Sequence, residues 1–126
     1  MKTSTSSLFG ALLLMAAIVA GVTTASAHSF PERETPSAGQ RLSAPPSEVT
    51  IKFDAPIEKL FARLEVIGTD GRSETLGRPR IDPSARTLSV KLTALKPGDY
   101  TVRWGVVCID SHRTEGSYVF TVVGGG

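Results

Sequence analysis

The stretch Tyr100-Thr-Val-Arg-Trp-Gly-Val-Val-Cys-Ile-Asp-Ser-His112 decides how the rest of the chain is read. Its first part alternates, with Tyr100, Val102, Trp104, Val106 and Cys108 on one parity, the period of a strand that buries one face. An unbroken strand carries that parity on to Asp110 and His112, so the core face ends in a carboxylate and an imidazole. Residues two apart on a strand lie about 7 Å apart at Cα and project side by side. The spacing brings Asp110 and His112 close enough to share one metal ion, with Trp104 beneath them, although two ligands alone make a weak site and such a pair is more often a hydrogen-bonded surface pair.

Outward from this stretch the chain reads as a series of short strands. Gly116 to Val123 alternates with Tyr118, Phe120 and Val122 on the apolar parity. Before Tyr100, the turn Lys96-Pro-Gly-Asp99 joins it to Thr87-Leu-Ser-Val-Lys-Leu92, with Leu88, Val90 and Leu92 inward. Gly77-Arg-Pro-Arg80 and Asp82-Pro-Ser84 read as loop, and Ser73 to Leu76 as the hairpin partner of a strand that starts near Ala62. Ile57 to Phe61 reads as a short irregular or one-turn element, too brief for a stable helix. Val49-Thr-Ile-Lys-Phe53 is a further strand, and His28 to Gly39 is extended and then turned, with two prolines. Six or seven strands without a sustained helix predict an all-β fold. The expected form is a Greek-key β-sandwich or barrel, immunoglobulin-like or of cupredoxin-like topology.

Composition bounds the compartment and the partners. The N-terminus carries Lys2, an apolar run from Leu8 to Val22, and the small-x-small pattern Ala25-Ser-Ala27. These mark residues 1–27 as a cleaved signal peptide and residues 28–126 as one exported, periplasmic domain. The run is short for a membrane span. The chain holds 14 Lys plus Arg against 12 Asp plus Glu, and Lys2 leaves with the signal, so the remaining domain has no basic stripe for nucleic acid. A monomer is expected. Cys108 is the one cysteine, which excludes an internal disulfide and places it as a small buried hydrophobe.

Cleavage after Ala27 makes His28 the N-terminal residue. An N-terminal histidine offers its α-amine and Nδ1 to one ion, and both nitrogens lose their protons near neutral pH, with ordinary pKa values of about 7.7 to 8.0 and 6.5. The chain has two histidines in all, His28 and His112. Together with Asp110 they supply three nitrogens and one oxygen, a donor set for one tetragonal Cu(II) per chain, since copper heads the divalent affinity order. A Cu(I) site would need soft ligands, but Met1 and Met15 both lie in the signal segment. Ser111 beside His112 and Asp110 does not make a nucleophilic triad, because adjacent strand residues face opposite sides. Glu32, Glu34 and Glu115 are outer candidates, with Glu32 preferred.

The mature chain resembles the periplasmic copper-binding proteins of the CopC family. The matching residues are His28 behind a signal, Thr35-Pro-Ser-Ala-Gly39, Pro46-Ser-Glu-Val-Thr-Ile-Lys-Phe53 and Pro56. Leu95-Lys-Pro-Gly-Asp-Tyr-Thr-Val-Arg-Trp104 and Val107-Cys-Ile-Asp-Ser-His112 are the most specific of them. The resemblance implies that the D-x-H motif, Asp110 and His112, binds Cu(II) with His28. The lack of methionine beyond the signal implies a Cu(II)-only member that sequesters copper or passes it to a CopD-like inner-membrane importer. It implies no enzyme activity. Two other readings compete. One is a histidine-brace copper oxidase, which a carboxylate in the copper plane disfavours. The other is a metal-free immunoglobulin-like interaction module, in which His28 is dispensable.

Overall fold

In the computed structural model, which describes residues 29–124, the alternating segments are strands. They run in order as β1 (Pro31–Thr35), β2 (Arg41–Leu42), β3 (Glu48–Phe53), β4 (Arg63–Gly68), β5 (Thr75–Ile81), β6 (Thr87–Leu92), β7 (Gly98–Val107) and β8 (Arg113–Val122). A single 3-10 turn, Lys59–Phe61, precedes β4, as the helical spacing too short for a helix predicts. Two four-stranded sheets form, ordered β1-β3-β6-β5 and β2-β8-β7-β4. The fold is thus the expected β-sandwich. Among the described residues no helix is long and apolar enough to cross a membrane.

The core lies between the sheets and is built by alternation. Val49, Ile51 and Phe53 of β3 are wholly buried, and across the antiparallel pair Val49 faces Val90 and Ile51 faces Leu88. Leu64 and Val66 of β4, Tyr100, Val102, Trp104 and Val106 of β7, and Tyr118, Phe120 and Val122 of β8 fill the opposing side. The Phe53 and Trp104 rings cross the core edge to face at 5.3 Å, and Tyr100 stacks on Phe120 at 5.5 Å. Trp104 therefore belongs to the core, further back along β7 than the site it was expected to underlie.

Two expectations change. Gly77-Arg-Pro-Arg80, read as loop, lies within β5, and β5 pairs with β6. Ser73 meets the end of β4 through a lone bridge to Ile67 in place of a full hairpin. The physical reason is that β5 is an edge strand with a register irregularity between Leu76 and Arg80, where Gly77 has φ of 71°. An edge strand tolerates Pro79 and needs no alternation, so its sequence carries no strand period.

The second change concerns the parity beyond β7. Tyr100 to Cys108 keeps its inward face, but β7 ends at Val107 and the chain reverses at once into β8. Asp110 and His112 do not continue a strand. They belong to the hairpin connection.

Candidate metal centre

The β7–β8 connection runs from Cys108 to His112, with Ile109-Asp-Ser111 as the three-residue turn at its tip. The Cys108 amide donates to the His112 carbonyl at 2.8 Å, and the Ser111 amide donates to the Cys108 carbonyl at 2.9 Å. Ser111 takes φ of 74°, the left-handed position with which such loops close. The Asp110 carboxylate then turns back on the loop. Its Oδ1 accepts the His112 amide at 3.2 Å, the local bond by which aspartate stabilises turns. Its Oδ2 lies 3.0 Å from His112 Nδ1.

The pair is thus assembled by a turn, with the two side chains in direct contact instead of standing in parallel on a strand. The His112 side chain is 60% exposed and that of Asp110 31%. Two donors held about 2.0 to 2.2 Å from one ion at right angles stand roughly 2.9 to 3.1 Å apart, so the Nδ1 to Oδ2 separation suits adjacent corners of one coordination square. The geometry fits a metal with tetragonal preference at the level of these two donors.

His28, the third expected ligand, lies outside the described residues, as does the expected signal peptide at 1–27. Among the described residues no group of three or more His, Cys, Asp and Glu side chains gathers as a metal cluster. Among the described residues none of the outer candidates joins Asp110 and His112 in such a group. Glu32 reaches Lys52 at 3.5 Å across β1 and β3. Glu34 is half-buried, and desolvation raises its pKa above the ordinary glutamate value. Glu115 pairs in register with Gly105 on the outer face of the second sheet.

Cys108 is buried, as its parity predicts, and it also has a polar task. Its Sγ accepts the Ser29 amide at 2.8 Å. Ser29 is itself wholly buried, and its carbonyl accepts the Thr114 hydroxyl at 2.8 Å. Sequence reasoning missed both Ser29 and Thr114. Ser29 lies in no periodic element, and Thr114 occupies an apolar parity position as a polar residue, the one signal that marks it.

The CopC domain model matches residues 32–123, the whole sandwich from β1 to the end of β8. The chain belongs to the CopC family. Among relatives, it is 35% identical over 98 residues to Protein YobA of Escherichia coli K12, covering 76% of this chain and 79% of that protein. It is 29% identical over 125 residues to Copper resistance protein C of Escherichia coli, covering 92% and 98%. The crystal structure of CopC from Methylosinus trichosporium OB3b superposes with a TM-score of 0.72 at 27% identity, covering 79% of this chain and 97% of that one. The resemblance drawn over the mature chain is thus shown for residues 32–123.

Proposed function

We propose that this CopC-family chain is an exported Cu(II)-binding protein that takes up one ion through His28, His112 and Asp110. His28 contributes its α-amine and imidazole, His112 an imidazole nitrogen and Asp110 a carboxylate oxygen. The observation that carries the reading is the 3.0 Å approach of His112 Nδ1 to Asp110 Oδ2 in the β7–β8 loop. The name of one relative, Copper resistance protein C, supports a copper-related role, as does the match to the CopC domain model.

Residue roles follow from the chemistry. A hairpin loop anchored by two backbone hydrogen bonds holds Asp110 and His112 without metal, so little ordering entropy opposes uptake. Copper is the cargo, and its preference for nitrogen sets the affinity. The exposure of His112 leaves the ion open to ligand exchange, which suits sequestration followed by transfer to an inner-membrane copper transporter such as a CopD-like importer. A carboxylate beside the imidazole favours Cu(II) over Cu(I), and the described residues contain no methionine to favour the reverse.

The test is a Cu(II) titration of the chain beginning at His28, read by Trp104 fluorescence and electron paramagnetic resonance, beside a chain with one alanine added ahead of His28. One tightly bound equivalent with a nitrogen-rich tetragonal signal, sharply weakened by the added alanine, supports the site. Equal and weak binding by both chains overturns it.

A further inference from the structure

Ser29 is wholly buried although it lies ahead of β1, outside every strand. Three hydrogen bonds hold it there. The Ser29 amide donates to Cys108 Sγ at 2.8 Å, its hydroxyl donates to the Pro56 carbonyl at 3.2 Å, and its carbonyl accepts the Thr114 hydroxyl at 2.8 Å. Every polar group of the residue has a partner, so its burial leaves nothing unsatisfied.

The placement of these partners matters more than their number. Cys108 stands two residues before Asp110, and Thr114 stands two residues after His112. The anchor thus grips both stems of the β7–β8 hairpin whose loop carries the carboxylate and the imidazole. Pro56 supplies the third side, and the bridge between Ile57 and Cys108 fixes it to the same stem. Consecutive Cα atoms are about 3.8 Å apart, so a residue joined to Ser29 by one peptide bond begins within that distance of the anchor.

We infer that Cys108 and Thr114 are positioning residues, which clamp the Ser29 peptide between the stems of the Asp110–His112 hairpin and so fix the point from which the N-terminal metal ligand departs. The inference rests on the Cu(II) reading above and names the groups that bring its distant donor home. A chelate assembled from two ends of the sequence loses affinity to the entropy of ordering its mobile arm. A clamp present without metal removes most of that cost in advance. It also accounts for the single cysteine: the sulfur serves as a hydrogen-bond acceptor inside the core and contributes no bond to the ion.

The same clamp sets the register of the chain start. A chain processed one residue later begins at Ser29 itself, and its charged amine replaces the peptide N–H that Cys108 accepts. The clamp and the chelate then fail together.

The experiment compares the exported, processed protein with Thr114→Val, which keeps the shape and removes the hydroxyl, and with Thr114→Ser, which restores it. In metal-free protein, amide hydrogen exchange at Ser29 is expected to be slow, to accelerate at least about tenfold in Thr114→Val, and to recover in Thr114→Ser, with Val102 in β7 unchanged. Equal Ser29 exchange in wild type and Thr114→Val overturns the clamp, whatever copper does. With Cu(II), Thr114→Val is expected to lose about tenfold in affinity and to show a paramagnetic signal with weaker nitrogen coupling, while Thr114→Ser restores both. An unchanged affinity and signal overturns the positioning role. Should the wild type take up no Cu(II) while Ser29 exchange behaves as expected, the copper reading falls and the clamp stands. Cys108→Ala probes the second bond with the same outcomes and serves where Thr114→Val does not fold.

Discussion

Trp104 lies across Gly116 of the neighbouring strand so closely that a methyl group on Gly116 would stand 2.7 Å from Cζ2 and 2.9 Å from Cε2 of the indole. The ring also packs edge to face on Phe53 at 5.3 Å, so a shift away from a new methyl group would disturb that core contact. Gly116→Ala is therefore expected to destabilise the sandwich by about 1 to 3 kcal/mol, the range for an overpacked core. Gly105→Ala is the control. Its new methyl meets only the far end of the Arg63 side chain at 3.2 Å, which can swing away, so the change stays within about 0.5 kcal/mol. Urea unfolding followed by Trp104 fluorescence separates the two, and equal midpoints would contradict the packing described.

The strands β3, β6, β7 and β8 were legible because each buries one face, and Val49, Ile51 and Phe53 or Tyr118, Phe120 and Val122 record that in their spacing. β5 was not legible. It lies at a sheet edge with Gly77 and Pro79 inside it, and nothing obliges its side chains to alternate. The hairpin loop was misread for the opposite reason. Ile109-Asp-Ser111 contains neither glycine nor an Asn-Gly pair, so the strand parity runs through it without a break. Asp110 and His112 come together nonetheless, because residues two apart meet across such a turn as well as along a strand.

Removing the carboxylate tests whether Asp110 binds the ion along with His112. Asp110→Asn keeps the turn bond to the His112 amide within reach of its amide oxygen, yet removes the charge that faces Nδ1 at 3.0 Å. The expected result is a Cu(II) affinity lower by about ten to one hundredfold with the fold intact. His112→Ala is expected to lower it further, since copper favours nitrogen. Calorimetric titration of the two variants checks the order.

The two tyrosines make opposite predictions for one deleted oxygen. The Tyr118 hydroxyl is buried with no hydrogen-bond partner among the described residues, so Tyr118→Phe is expected to be neutral or to stabilise by up to about 1 kcal/mol. The Tyr100 hydroxyl donates to the Lys96 carbonyl at 2.6 Å, and Tyr100→Phe is expected to cost about 0.5 to 1.5 kcal/mol. Thermal unfolding of both variants is the measurement.

Both phenols also couple stability to high pH. Burial, then the negative charge of Glu74, raises the pKa of Tyr100, while burial, then Glu34, raises that of Tyr118 well beyond the ordinary range. A raised phenol pKa contributes stability that is whole below the unfolded value of 10.0 and is lost as pH rises through the folded value. Ultraviolet titration is expected to show less phenolate at pH 10 in the folded than in the unfolded protein, and Tyr118→Phe is expected to flatten the alkaline loss.

Asp82 acts at the other limb. The Ser84 hydroxyl first, then the Thr87 and Arg86 amides, hydrogen-bond its carboxylate at the β5–β6 turn and lower its pKa below 3.8. Its stabilisation is present above the unfolded value and lost as pH falls through the lowered folded one. Asp82→Asn is expected to cost about 1 kcal/mol at neutral pH and to reduce the further loss below pH 3.8. Urea midpoints measured from pH 2 to pH 7 provide the comparison.

By itself the sequence determined the class of fold and named the residues proposed to form the site. Alternating apolar residues admit few arrangements other than a sandwich, and two histidines with one nearby aspartate leave little choice of nitrogen-rich donors. The tertiary structure decided how those donors are held. Pairing β7 with β8 closes a three-residue turn that places the Asp110 carboxylate against His112. Packing against Cys108, Pro56 and Thr114 then buries Ser29, a residue that no local pattern marks. Periodicity reports which face of a strand meets the core. A hydrogen bond between residues 79 positions apart exists only once the sheets have come together.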